Sequence, residues 1–128
     1  MRGSRERAVA GAACLALATF AGSAATSPPA KAAKPAVVEV VDFFFGPSAV
    51  TIRKEGKVKW AWAATNVESH DVYLKQGPKN LKKKGTYSTK TTAVTNATFV
   101  KAFPTPGSYR YICTIHPTKM KLTVTVKK

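Results

Sequence analysis

The chain has 128 residues and carries 21 Lys and Arg against 6 Asp and Glu, for a formal net charge of +15 at pH 7. This length leaves room for one small domain and excludes a multidomain protein. The strongly positive balance bears on solubility and on binding partners, but it does not constrain the fold.

The first 25 residues have the layout of a secretory signal peptide. Three arginines precede residue 8, a mainly apolar run covers residues 8–21, and Ser23 and Ala25 supply small side chains at a cleavage site. The apolar run is too short to span a bilayer comfortably, so we expect a secreted or extracytoplasmic protein from which residues 1–25 are removed. An uncleaved membrane anchor is the alternative.

A short linker and one folded domain follow. Residues 26–36, TSPPAKAAKPA, have the Pro, Ala and Lys content of a flexible or polyproline-like linker. We expect the folded domain to cover residues 37–128. Removal of residues 1–25 leaves 18 basic against 5 acidic side chains, so the mature protein remains strongly basic.

Alternating apolar and polar residues indicate short strands along most of this domain. The first two predicted strands are Val37–Asp42 and Val50–Arg53. For each of the five later strands, the residues that share the apolar, inward face are, in chain order: Val58, Trp60 and Trp62; His70, Val72 and Leu74; Phe99 and Phe103; Tyr109, Tyr111 and Cys113; and Met120, Leu122, Val124 and Val126. About seven to eight short strands with turn residues between them, and no convincing helix, predict an all-β fold, an antiparallel β-sandwich. Lys101 falls on the apolar face between Phe99 and Phe103, which suggests a bulge or an edge strand.

Cys113 is the one cysteine that remains after removal of the predicted signal peptide, so it cannot form an intramolecular disulfide. Structural cysteines outside the cell normally occur in bridged pairs. A buried free thiol that packs as a small apolar group is one explanation. Its neighbours suggest another, because both histidines and the single methionine of the domain are placed where they could meet it.

Four side chains could form a metal site at one end of the sandwich. Cys113 ends a strand, and His116 lies in the turn that follows. Met120 begins the next strand on its inward face, and His70 can approach the same end from an earlier strand. A thiolate, two imidazoles and a thioether suit copper, since Cu(I) favours soft sulfur and Cu(II) favours imidazole nitrogen. Taken singly, each histidine could be a surface or hydrogen-bonded residue, and Met120 could be a core residue.

Three segments resemble the cupredoxins, the small blue copper proteins that include plastocyanin, amicyanin and pseudoazurin. DFFFGPSAVTIRKEGKVKWAW is similar to their opening strands, ESHDVYL to the segment with the first histidine ligand, and FVKAFPTPGSYRYICTIHPTKM to their C-terminal Cys-x-x-His-x(n)-Met ligand loop. The resemblance covers nearly all of the domain and implies a Greek-key β-sandwich with one type 1 copper per chain. It implies His70, Cys113 and His116 as equatorial ligands and Met120 as the axial ligand.

Two positions depart from the family's pattern. Three residues separate His116 from Met120, one more than in the short amicyanin-like loop and one fewer than in the plastocyanin-like loop. Asp71 follows the first histidine, where the family often has Asn. Its carboxylate could accept hydrogen bonds from Thr114 and lower the reduction potential of copper, or it could be solvated.

The resemblance implies a one-electron carrier, with His116 as the electron port and Pro117 in the docking surface. A copper-binding module for sequestration or delivery is the alternative, since the same ligands would serve it. A Cys–His nucleophilic enzyme is disfavoured, because no orienting Asn or Asp and no oxyanion-type loop is evident beside the pair. We therefore expect that the protein is not an enzyme.

The basic balance favours a redox partner with an acidic docking face, bound transiently and more weakly at high salt. The basic side chains that we expect towards one end are Lys75, Lys79, Lys82, Lys83, Lys84, Lys119 and Lys121. They could instead form an ordinary solvated face. We expect a monomer and no nucleic acid, since no aromatic stacking platform accompanies these residues. Weak contact with an anionic envelope surface stays open.

Overall fold

The computed structural model describes residues 34–128. Its eight strands, numbered in chain order, are β1 (Ala36–Val41), β2 (Phe44–Gly46), β3 (Ala49–Arg53), β4 (Lys57–Trp62), β5 (Tyr73–Gln76), β6 (Thr98–Ala102), β7 (Gly107–Ile112) and β8 (Lys121–Lys127). A 3-10 turn, Lys84–Tyr87, lies between β5 and β6. The described part of the chain contains no helix with the length and apolar character needed to cross a membrane. The predicted signal peptide and most of the predicted linker lie outside the described residues.

The strands form two four-stranded sheets around one apolar core. Sheet I has the order β2-β1-β4-β6, and sheet II has the order β3-β8-β7-β5. The predicted all-β sandwich is confirmed. Its sheets are mixed and not antiparallel throughout as predicted, because β1 pairs with β4 and β3 pairs with β8 in parallel. The two-residue period reports which side chains face inward, but it carries no information on the direction of the neighbouring strand.

An aromatic cluster joins the two sheets. The fully buried Trp60 of β4 lies with its ring centroid 5.0 Å from Tyr111 of β7, 5.3 Å from Phe99 of β6 and 6.5 Å from Phe103. Aromatic pairs at these separations add stabilisation beyond the area that they bury. The predicted inward faces of β4, β7 and β8 are all buried, so the alternation in the sequence placed the core correctly.

Lys101 lies on β6, an edge strand of sheet I, so the edge position is the correct explanation of its irregular phase. Its ammonium group donates to the Thr86 hydroxyl at 2.9 Å and lies 4.3 Å from the centre of the Tyr87 ring. Burial lowers the pKa of Lys101, and the nearby charge of Lys83 lowers it further. The long side chain thus covers apolar surface while its head group reaches polar and aromatic partners.

The lysine-rich loop, residues 79–84, lies at the end of the sandwich opposite Lys119, so the expectation that these basic side chains gather towards one end was wrong. Pro78, which precedes the loop, packs against Gly107 at the start of β7. Cys113 follows the opposite end of that strand, and Lys119 lies near it. The basic side chains therefore occupy both ends of the molecule.

Candidate metal centre

Three of the four candidate ligands lie in one loop between β7 and β8. Cys113 directly follows β7, and Met120 directly precedes β8. The amide of His116 donates to the Cys113 carbonyl at 3.2 Å, and the amide of Met120 donates to the His116 carbonyl at 2.9 Å. The amide of Cys113 donates in turn to the Met120 carbonyl at 3.2 Å. The pairing of Ile112 with Lys121 closes the base of this ligand loop, so the spacing of the three residues is fixed by backbone contacts.

His70 reaches the ligand loop from a separate part of the chain. Its backbone forms an isolated antiparallel bridge with Ala93, with N···O distances of 2.9 and 3.0 Å. Its carbonyl also accepts a hydrogen bond from the Trp62 indole at 3.2 Å. His70 therefore precedes β5 instead of opening a regular strand, although its inward phase with Val72 and Leu74 is as predicted.

The donor atoms of His70, Cys113 and His116 form one compact cluster, in which all lie within 4.8 Å of one another. The Cys113 Sγ atom is 3.8 Å from His116 Nδ1. A first-row metal ion holds imidazole nitrogen at about 2.0 Å and thiolate sulfur at about 2.3 Å, which places two such donors roughly 3.5–4 Å apart. The 3.8 Å separation of Cys113 Sγ and His116 Nδ1 therefore fits two donors on a single metal ion.

The ring of His70 is fully buried, and only one of its nitrogens has a hydrogen-bond partner. Nε2 lies 2.8 Å from Asp42 Oδ1, whereas Nδ1 is buried without a partner. Because a carboxylate can only accept, this contact suits the Nε2–H tautomer, in which Nδ1 keeps a free lone pair. A buried polar atom without a partner is costly, and a metal ion would satisfy it. The residues present thus fit a bound metal.

Asp42 directly follows β1 and is held in place by the backbone of a neighbouring loop. Its carboxylate accepts hydrogen bonds from the Val67 amide at 2.9 Å and the Glu68 amide at 3.1 Å, besides the one from His70. The bond from Val67, followed by those from His70 and Glu68, lowers the pKa of Asp42, although partial desolvation opposes this. Asp42 is therefore a fixed carboxylate beside the buried histidine.

Asn66 is a buried residue, with 6% of its surface exposed, and its side chain holds Asp42 in place. Its Oδ1 accepts a hydrogen bond from the Asp42 amide at 2.9 Å. Its Nδ2 donates to the Val40 carbonyl at 2.8 Å and to the Val94 carbonyl at 3.0 Å. The side-chain amide of Asn66 thus connects its own loop to the end of β1 and to the segment around Val94. Neither Asp42 nor Asn66 was predicted as part of the site.

Asp71 braces the ligand loop, which is one of the two alternatives that the sequence left open. Its Oδ1 accepts from the Thr114 amide at 2.7 Å, and its Oδ2 accepts from the Thr114 hydroxyl at 2.5 Å. Thr114 directly follows Cys113, so the two hydrogen bonds connect the segment that carries one candidate ligand, His70, to the loop that carries the others. The solvated alternative for Asp71 is excluded by these contacts.

His116 is the candidate ligand nearest to solvent, with 15% of its side chain exposed against 0% for His70. Its ring packs edge-on against Phe43 at 5.1 Å between centroids, and its Nε2 lies 4.0 Å from Glu68 Oε1. The ammonium of Lys119 lies 5.2 Å from the centre of the Phe43 ring. The ring of His116 therefore has an aromatic and an acidic neighbour, and Lys119 places a positive charge over the aromatic one.

Met120 is fully buried at the head of β8, on the same face as Leu122 and Val124. The inward phase predicted for it is confirmed. Its backbone forms hydrogen bonds with both Cys113 and His116, so Met120 lies at the base of the ligand loop.

Comparisons with known proteins identify the family. The chain belongs to the copper-binding proteins of the plastocyanin/azurin family, whose family model matches residues 33–127. The resemblance to cupredoxins drawn from the ligand motifs is thereby confirmed. A comparison with curated proteins gave no significant match.

Solved structures share the fold. Amicyanin from Paracoccus versutus is 25% identical over 74% of this chain and 83% of its own, with a TM-score of 0.58. A reduced amicyanin mutant is 20% identical over 73% and 82%, with a TM-score of 0.57. A copper-containing nitrite reductase from Thermus scotoductus is 26% identical over 80% of this chain but 25% of its own, with a TM-score of 0.61.

Family membership and the His–Cys–His cluster together identify copper as the cofactor, at one ion per chain. The prediction of copper is confirmed. A set of two imidazoles and a thiolate is also the combination that accommodates both oxidation states of this metal.

Proposed function

We propose that this protein is a one-electron carrier with a type 1 copper site, in which His70, Cys113 and His116 would hold the copper and Met120 would supply a further sulfur ligand. The observation that carries the proposal is that His70, whose buried Nδ1 has no hydrogen-bond partner, forms a cluster with Cys113 and His116 in which the donor atoms lie within 4.8 Å of one another. Copper, when bound, supplies the Cu(II)/Cu(I) couple.

The surrounding residues supply rigidity, which fast electron transfer requires. Asp42 fixes the ring of His70, and Asp71 fixes the loop next to Cys113. The backbone hydrogen bonds within the ligand loop set the position of His116. Ligands that are held by the fold move little between oxidation states, so little reorganisation accompanies each transfer.

We propose His116 as the electron port, because it is the candidate ligand nearest to solvent. Exposed apolar side chains lie beside it, with Phe43 45% and Ile115 44% exposed, and Pro117 follows it directly. Such a surface suits a weak and transient contact. Lys119 adds a positive charge at this end, and the distant lysine-rich loop adds long-range attraction, so a redox partner with an acidic docking face is favoured.

The cellular setting that we propose is extracytoplasmic, with residues 1–25 as a signal peptide, residues 26–36 as a linker and residues 37–128 as a monomeric domain. A function without catalysis is part of the proposal. The match to the nitrite reductase covers a quarter of that chain, so it supports a shared copper domain and not a shared reaction.

The visible absorption spectrum tests the copper site directly. The protein purified after expression of the whole chain would be stripped of metal and titrated with Cu(II), in parallel with Cys113→Ser and with Thr118→Ala as a control in the same loop. We expect an intense charge-transfer band that saturates at one copper per chain, is retained in the control and is lost in Cys113→Ser. A colourless copper complex would refute the type 1 site.

Electron-transfer measurements then separate a carrier from a copper store, since storage or delivery would use the same ligands. A carrier should show a reversible one-electron titration and fast electron self-exchange. Slow exchange together with ready release of copper to a chelator would favour sequestration or delivery instead.

A further inference from the structure

Acidic side chains are concentrated around the candidate copper site of an otherwise basic domain. Residues 34–128 contain 17 Lys and Arg but only five acidic residues, Glu39, Asp42, Glu55, Glu68 and Asp71. Three of the five lie at the site, where Asp42 contacts His70, Glu68 approaches His116, and Asp71 binds the loop at Thr114. Of these three, Asp42 is the one within hydrogen-bond distance of a candidate ligand ring, with 2.8 Å between its Oδ1 and His70 Nε2.

The carboxylate of Asp42 cannot turn away from His70 without loss of other bonds. Its Oδ2 accepts from the Val67 amide, and its Oδ1 accepts from both the Glu68 amide and His70 Nε2. The Asp42 amide is itself held by the buried Asn66. The backbone of His70 is also anchored, because it is bridged to Ala93. The geometry therefore defines one orientation of the ring.

We propose that Asp42 is a positioning residue that fixes His70 as the Nε2–H tautomer and stabilises Cu(II) over Cu(I), so that it lowers the reduction potential of the site. This inference rests on the proposed copper function. An acceptor on the outer nitrogen makes the inner nitrogen a stronger donor. A fixed negative charge one imidazole away from the metal also favours the state with the higher positive charge.

The test compares two substitutions that remove the same charge. Asp42→Asn removes it beside His70, whereas Glu55→Gln removes it in the turn between β3 and β4, at the opposite end of the sandwich. Loss of an outer hydrogen-bond partner typically costs 10–100-fold in metal affinity. We expect Asp42→Asn to weaken Cu(II) binding about tenfold more than Cu(I) binding, which raises the one-electron potential by about 59 mV. Glu55→Gln should change the same ratio by less than about threefold, because water and salt screen a distant charge.

A second measurement needs neither a variant nor copper. In the metal-free wild type, nitrogen chemical shifts of the two imidazole rings identify which nitrogen of His70 carries the proton. We expect the proton on Nε2, shared with Asp42. A proton on Nδ1 would contradict the tautomer assignment, and a potential that rises no more in Asp42→Asn than in Glu55→Gln would contradict the electrostatic role.

The outcomes for this proposal and for the proposed function are distinguishable. If wild type gives no thiolate–copper band, the electron-carrier function and the Cu(II) part of this inference both fall, and the metal-free spectrum still decides the tautomer. If Asp42→Asn does not fold, Asp42→Glu replaces it, because it keeps the charge but displaces the carboxylate by one methylene. A raised potential in Asp42→Glu supports the proposal, and an unchanged potential counts against it.

Discussion

Replacement of Asn66 with alanine should destabilise the domain far more than an ordinary loop substitution. The buried amide accepts one hydrogen bond from Asp42 and donates one each to Val40 and Val94. A typical intramolecular hydrogen bond contributes about 1 kcal/mol net, and more is lost where a buried partner is left unpaired. Three bonds therefore predict a loss of about 3 kcal/mol in the free energy of unfolding.

Denaturant unfolding of the metal-free protein, followed by tryptophan fluorescence, would measure this loss. Thr65→Ala is the matched control, because Thr65 is the exposed neighbour of Asn66 and surface substitutions usually change stability by about 0.5 kcal/mol or less. For a domain of this size, each kcal/mol moves the melting temperature by about 4–8 °C, so a fall of roughly 12–24 °C is expected for Asn66→Ala. A loss below about 1 kcal/mol at an unchanged denaturant slope would refute the reasoning.

Three further predictions concern pH, the loop brace and the axial position. Burial, and to a smaller extent the neighbouring Tyr87, raises the pKa of Tyr109 to about 12. The stability that the protonated form of Tyr109 provides is therefore complete below pH 10 and is lost as the pH rises towards 12. Tyr109→Phe should make the unfolding free energy fall less steeply between pH 9 and 12, and an equally steep fall would contradict the shift. Asp71→Asn leaves one acceptor for the two Thr114 donors, so copper should pass to a chelator several-fold faster than from wild type; an unchanged rate would mean that the brace is dispensable. Met120→Leu should cost less than about 1.5 kcal/mol of stability while it changes the visible spectrum and the potential, and an unchanged spectrum would make Met120 a core residue only.

The candidate ligands could be predicted because their chemistry is local in the sequence. Cys113, His116 and Met120 fall within eight residues, and the strand phase on either side of them is regular. His70 was recognised from its phase with Val72 and Leu74, which needs no knowledge of the neighbouring strands. Asp71 could be proposed as a partner of Thr114 because the resemblance places a bracing residue, often Asn, directly after the first histidine ligand.

The residues behind His70 could not be predicted in the same way. Asp42 is 28 residues from His70 and 24 from Asn66 along the chain, and their contacts depend on the parallel pairing of β1 with β4, which no hairpin signature announces. A lone Asp after a strand and a lone Asn in a turn are ordinary surface residues by composition. The prediction for the lysine-rich loop was wrong for a related reason, because the composition of a loop does not indicate the end of the sandwich at which it lies.

The strand that follows the ligand loop has a consequence for the order of assembly. β8 is an inner strand of sheet II and pairs with both β3 and β7. A ribosome must therefore complete residues 121–127 before β3 has any strand partner and before Met120 is anchored next to Cys113. A chain that stops before β8 retains the β7–β5 pair of sheet II, but it leaves β3 without a partner and lacks the pairing of Ile112 with Lys121 that closes the ligand loop. The ligand loop therefore takes its described geometry only when the last strand is paired.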